Sequence, residues 1–154
     1  MKYSRTNAKD HARQHLKGIW AAALTPFDDD LAIDEEGFRK NIEHWTGELL
    51  IDGLFIAGKQ GEAFSMSVDE RKRVFEIAVE AVAGRAQTIM SCSDANLDVV
   101  IDLARHAQKV GADWIVVHAP QLHFLSAQDE TLMNYYSTIT KAVDIGVALW
   151  SHPD

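Results

Sequence analysis

The chain has 154 residues, 47% of them apolar and 25% charged, which is enough for one globular domain with a core of its own. Its formal net charge of −8 argues against nucleic acid or an anionic membrane as partner, although a local site can oppose the global sign. A single cysteine, Cys92, cannot close an internal disulfide, and no apolar run reaches the roughly 18 residues of a membrane span, so a soluble, cytoplasmic protein is expected.

Residues 1–17 form a polar, basic N-terminal extension with a short helix, and neither a secretory signal nor a span is supported there. Gly18 to Leu24 is an apolar run ended by Thr25-Pro26, which predicts a first strand, because proline cannot continue a central strand. Asp34 is placed to cap a helix running to about Thr46, with Phe38, Ile42 and Trp45 on one face. Residues 53–57 predict the second strand. Ser67 and Glu70 have capping-box spacing ahead of a helix to Ala83, whose stripe is Val74, Ile77, Ala78, Ala81 and Val82, with Gly84 as its C′ residue.

Ala86 to Ser91 predicts the third strand. Asn96 caps a helix carrying Val99, Val100, Leu103, Ala104 and Ala107, and Gly111 ends it. Ala112 to His118 predicts the fourth strand, and Ser126 to Asp129 opens a helix with Leu132, Tyr135, Tyr136, Ile139 and Val143. Gly146 to Trp150 predicts the fifth. Short apolar strands alternating with amphipathic helices imply a parallel sheet covered by helices. The pattern alone fits a barrel or an open doubly wound sheet. No Gly-x-Gly-x-x-Gly follows the first strand, which removes the usual dinucleotide-binding reading. A closed barrel needs eight strands and about 250 residues, so five strands would leave parallel edges open to aggregation or dimerisation.

Gly58-Lys59-Gln60-Gly61-Glu62 lies between the second strand and its helix, at the carboxyl end of a parallel strand where α/β proteins bind ligands. Two glycines let backbone approach an anion closely, and Glu62 adds a carboxylate.

Leu24-Thr25-Pro26-Phe27, Gly58-x-x-Gly61-Glu62 and Asp69-Glu70-Arg71 occur in that order, followed by Gly111-Ala112-Asp113, Pro120 and Leu149-x-x-x-Pro153. With these the chain resembles the dihydrodipicolinate synthase / N-acetylneuraminate lyase family of class I pyruvate-dependent aldolases, over Gly18 to Asp154. The resemblance implies the amino-terminal part (18–154) of an eight-fold TIM barrel. It further implies a Schiff-base lysine on strand six, a carboxylate-binding turn after strand two and a proton-shuttling tyrosine on strand five. The sixth strand is absent from these residues, so the chain alone is expected to be inactive and part of a longer polypeptide. Lys59 and Gln60 stand where hydroxyl residues are usual, and Trp150 stands at the tyrosine position. Gln121 and Leu122 replace tyrosines found in synthase members. These departures mark a divergent member.

The substrate contacts expected from this resemblance are Gly58, Lys59, Gln60, Gly61, Glu62 and Thr25. An indole N–H donates but cannot act as acid and base, so Trp150 is joined by Ser151 and His152 as catalytic candidates, with His118 or a water as a further proton carrier. The ligand implied is a 2-oxo acid such as pyruvate or a pyruvate adduct, with no cofactor, no resident metal and a homo-oligomer, dimer or tetramer, as the assembly.

Each site also has a plainer reading. The turn can be a tight connection whose Glu62 favours the next helix's dipole, and Lys59 a solvated lysine or, in a bolder reading, an imine-forming amine. His118, His123 and His152 with Glu62 or Asp154 could bind zinc, but their spacing selects no metal, and polar or core roles are the simpler account. Cys92 reads as a small buried hydrophobe against a reactive thiol. Trp20, Trp45 and Trp114 read as core, and Asp28 to Asp30 as a solvated loop. Besides the lyase, two alternatives stand: a non-catalytic half-barrel that completes its sheet by self-association, and a metal-dependent barrel hydrolase using His118 and His152.

Overall fold

The computed structural model describes residues 3–120 and 128–150. The five expected strands form one parallel sheet: β1 (Trp20–Ala22), β2 (Gly53–Ile56), β3 (Gln87–Ser91), β4 (Trp114–His118) and β5 (Gly146–Trp150). Their order in space follows their order in sequence, with no reversal. A doubly wound sheet reverses order at a switch point, so the sequential order selects the barrel-type winding left open by periodicity. Helices α1 (Ala8–His15), α2 (Glu35–Glu43), α3 (Val68–Val82), α4 (Leu97–Val110) and α5 (Asp129–Ala142) complete the architecture, a partial α/β barrel with a short N-terminal helix.

The sheet is strongly curved. Phe55 on β2 is in register with Ile89, Trp114 and Gly146, so Trp150 lies further along β5 and three strands away. In a flat sheet that lateral separation would be roughly 14 Å. The two rings nevertheless stack with centroids 5.4 Å apart. Curvature and strand tilt together bring them across a concave face, as barrel geometry requires.

The two faces of the strands differ. Leu54, Ile56, Met90, Ile115 and Val117 face the helices and are fully buried with Phe38, Ile42, Phe75, Ile77 and Leu103. The concave face keeps an open groove of about 410 Å³ lined by Leu16, Trp20, Phe55, Ile89, Val116 and Trp150, among others. Trp45 packs against the helical core, and Trp114 is buried with its indole donating to Gln87 at 3.0 Å, as core tryptophans should.

Helix starts follow their caps. Asp34 accepts from Gly37 N–H, Asn96 accepts from Asp98 N–H, and Ser67 and Glu70 form a reciprocal capping box. Gly111 closes α4 in the left-handed region, and Ala83 with Gly84 does so after α3.

Several boundaries differ from expectation. β1 is shorter than Gly18 to Leu24, because Gly18 turns at φ +79° and the Ile19 N–H is held by the Asp52 carboxylate. The helix expected to reach Thr46 stops at Glu43 and continues as a wide π turn, His44–Glu48, in which Thr46 Oγ1 donates back to Ile42 O. β2 ends at Ile56, since Ala57 is left-handed, and β4 starts at Trp114 rather than Ala112. Ser126, expected to open the last helix, lies outside the described residues, and Gln128 occupies the N-cap position. Among the described residues no helix is long and apolar enough to cross a membrane.

Candidate active site at the carboxyl end of the sheet

The turn after β2 is braced rather than loose. Thr25, three residues beyond β1, is buried, and its hydroxyl donates to Gly61 O at 2.9 Å. Ala23 N–H continues the β1–β2 ladder by donating to Phe55 O, and Glu62 N–H and Ala63 N–H close the turn onto Lys59 O and Gly58 O. Those two amides therefore serve the turn and are not available to a ligand.

The glycines act by size, not by handedness. The left-handed residues are Ala57 and Glu62, with φ of 50° and 55°, whereas neither Gly58 nor Gly61 has positive φ. A Cβ at Gly61 would lie 2.8 Å from Ala23 O, and one at Gly58 would lie 2.7 Å from the Phe55 ring. The turn thus lies directly on the end of β1 and on an aromatic ring of β2, so the close approach its glycines allow is first of all to the protein's own strands. Lys59, Gln60 and Glu62 are exposed on it. Glu62 is separated from α3 by a 3-10 turn, Ala63–Ser65, and Asp69 and Glu70 fill the first turn of α3 instead. The plain dipole reading of Glu62 does not fit that placement.

Next along the rim, α3 reaches over to the β3–α4 connection. Arg71 is 2% exposed, pairs with Asp94 at 3.0 Å and donates to Ser93 O at 2.6 Å. Burial, opposed by Asp94 and by Cys92, holds its pKa below the ordinary arginine value. Ser93 in turn accepts the His118 N–H on its hydroxyl at 2.9 Å, so a chain of contacts runs from Arg71 to the end of β4. The sequence reading missed this chain, yet Arg71 falls in helical step with Val74 and Ala78, and a charge on an apolar stripe was the available signal. Cys92 is fully buried and burial pushes its thiol pKa well up, which supports the small-hydrophobe reading and removes the reactive one.

His118 and Trp150 are register partners at the ends of β4 and β5, with ring centroids 6.0 Å apart. Phe64 lies 6.4 Å from His118, and Phe55 stacks on Trp150. The structure thus gathers Thr25, the 58–62 turn, His118 and Trp150 at one end of the sheet. Ser151, His152 and His123 lie outside the described residues, as do Gln121 and Leu122. Among the described residues no group of three or more potential metal ligands is assembled.

A curved parallel sheet wound in sequence order and covered by helices defines a protein of the β/α-barrel class. More specifically, the chain belongs to the dihydrodipicolinate synthetase family, whose model matches residues 15–154. It is 37% identical over 138 residues to a 4-hydroxy-tetrahydrodipicolinate synthase of Bartonella bacilliformis and 36% identical over the same length to an N-acetylneuraminate lyase of Clostridium perfringens. Each match covers 90% of this chain, and 46% and 47% of the relative, so the chain spans about half the length of the curated relatives it matches. Its fold is similar to that of CdNal from Clostridium difficile, solved in complex with mannosamine, with TM-score 0.83 and 35% identity over 90% of this chain and 47% of that one. It is also similar to dihydrodipicolinate synthase from Aquifex aeolicus, with TM-score 0.82 and 27% identity over 89% and 45%.

Proposed function

We propose that this chain forms the 2-oxo-acid-binding part of an aldolase-type lyase of the Schiff-base class, acting on pyruvate or a pyruvate adduct. The observation that carries this reading is the turn at Gly58 to Glu62, braced by Thr25 and carrying an ammonium and an amide at the carboxyl end of the sheet. Lys59 offers charge and Gln60 an N–H donor to the carboxylate, while Thr25, with its hydroxyl committed to Gly61 O, acts by holding the turn. The names of the relatives, a synthase and a lyase of one family, are consistent with carbon–carbon bond chemistry on such an acid.

The resemblance puts the imine-forming lysine on a sixth strand, while the five described strands carry the carboxylate-binding turn and the shuttle position. Trp150 supplies only a donor at the shuttle position, and His118 is the described group able to carry a proton there. Ser151 and His152 remain the further candidates. A reducing, cytoplasmic setting and a homo-oligomer fit the buried free Cys92 and the two edge strands. Those edges also favour the second reading, a half-barrel that completes its sheet by self-association.

Calorimetric titration with pyruvate tests the assignment. Lys59→Gln is expected to weaken pyruvate binding by about ten-fold, because it removes a charge-assisted contact to the carboxylate. Unaltered affinity in that variant would sink the carboxylate assignment, and absence of binding together with a defined dimer would favour the half-barrel.

A further inference from the structure

The rings at the mouth of the groove are continuous with the turn. Phe55 lies under Gly58, where a Cβ would stand 2.7 Å from its ring. Trp150 stacks on Phe55 at an interplanar angle of 23°, His118 stands beside Trp150, and Phe64 beside His118. Below them the groove is lined by Trp20, Ile89 and Val116, and among the described residues no charged side chain lines it. A barrel's packed interior accounts for Trp20 and Phe55 at depth. It does not account for Phe64, which sits on the 3-10 turn beyond the strand end and is 53% exposed.

We propose that the site takes a 2-oxo acid whose substituent is apolar and planar, an aryl or alkenyl group, with its carboxylate at Lys59 and Gln60 and its substituent against Phe55, Phe64, His118 and Trp150. This rests on the 2-oxo-acid reading above and adds the chemistry of the rest of the molecule. The physical reason is a mismatch of partners. Among the described residues of this face, a polyhydroxylated chain would find few hydrogen-bond partners beyond the Trp150 indole and His118, and a second carboxylate would meet no lysine or arginine lining the groove. A flat apolar group meets ring faces at stacking distance and buries its own surface.

Calorimetry on the purified protein, with pyruvate, phenylpyruvate, 2-oxoglutarate and benzyl alcohol as probes, tests this. Phenylpyruvate is expected to bind at least about ten-fold more tightly than pyruvate, as burial of a phenyl group predicts. 2-Oxoglutarate is expected to bind no more tightly than pyruvate, and benzyl alcohol far more weakly than phenylpyruvate. Phe64→Ala, at a half-exposed position, and Trp150→Leu are each expected to bring the phenylpyruvate preference below about three-fold. Circular dichroism of both variants is expected to match that of the parent, and the Phe64 variant carries the test where the Trp150 one unfolds. Equal binding of pyruvate and phenylpyruvate overturns the proposal and leaves the 2-oxo-acid reading standing. Failure of both acids to bind overturns both. Benzyl alcohol binding as tightly as phenylpyruvate, or an undiminished preference in the Phe64 variant, overturns the proposal alone.

Discussion

The two ends of the sheet are held by different means. At the amino end the N-terminal segment folds under the strands: Tyr3, His11 and His15 stack in series against Trp114, and the Tyr3 hydroxyl bridges Asp113 O and Gly146 N–H. Asp113 is buried there and accepts from both the backbone and the hydroxyl of Thr88. Among the described residues the carboxyl end has no such stacked layer. It is stiffened from below, by Thr25 on Gly61 and by Arg71 through Ser93 to His118, while Lys59, Gln60, Phe64 and Trp150 stay partly exposed above. Among the described residues one end is covered by stacked rings, whereas at the other the backbone is braced and several side chains stay exposed. The asymmetry follows the general division of β/α barrels, in which the amino-terminal face serves stability and the carboxyl-terminal face is where sites are built.

The comparison breaks most severely at Arg71. Arg71→Ala is expected to cost about 3–5 kcal/mol in urea unfolding at pH 7, because it strands Asp94 and the Ser91 and Ser93 carbonyls without their donor. Arg71→Met keeps most of the volume and separates packing from hydrogen bonding. Should both variants unfold at the parent midpoint, the rim is not held by this arginine and the contrast between the two ends fails.

Gly61→Ala is expected to have an intermediate effect, about 1–3 kcal/mol. Its Cβ meets backbone atoms of Ala23 and Ala57, which cannot swing aside as a side chain could. Pyruvate affinity is expected to fall as well, since relief requires the turn to lift off β1. A fully stable variant with unchanged pyruvate binding would show that the turn floats free of the strand.

How legible these features were depends on the kind of signal. Asp34, Ser67 with Glu70, Asn96 and Gly111 acted as caps because capping is local chemistry that a few consecutive residues determine. The five strands were legible for the same reason, as short apolar runs between turn residues. The π turn after Glu43 was not, because it depends on Thr46 bonding back to Ile42 and not on periodicity. The turn at residues 58–62 could be placed, but its mechanics could not. Nothing local says that Gly61 faces Ala23 O or that Gly58 faces the Phe55 ring, and the left-handed positions fell on Ala57 and Glu62. The Arg71–Ser93–His118 chain joins residues far apart in sequence and becomes visible only when α3, β3 and β4 come together.

Tyr3→Phe has the smallest expected effect at neutral pH and the most informative dependence on pH. Loss of the hydroxyl removes the bridge between Asp113 O and Gly146 N–H, for about 1 kcal/mol at pH 7. Burial pushes the Tyr3 pKa up to about 12, against an ordinary value near 10. The folded state therefore keeps the proton after the unfolded chain has released it. Stability linked to this group is whole below pH about 10 and falls as pH rises toward 12, at no more than about 1.4 kcal/mol per unit for each such tyrosine. Tyr135, raised to about 12, and Tyr136, also raised by burial, act in the same sense. The variant should consequently lose less stability than the parent between pH 8 and pH 11, without becoming insensitive. Parallel urea midpoints for the two proteins across that range would mean that Tyr3 is open to solvent, and that the amino end is not closed as its stacked rings imply.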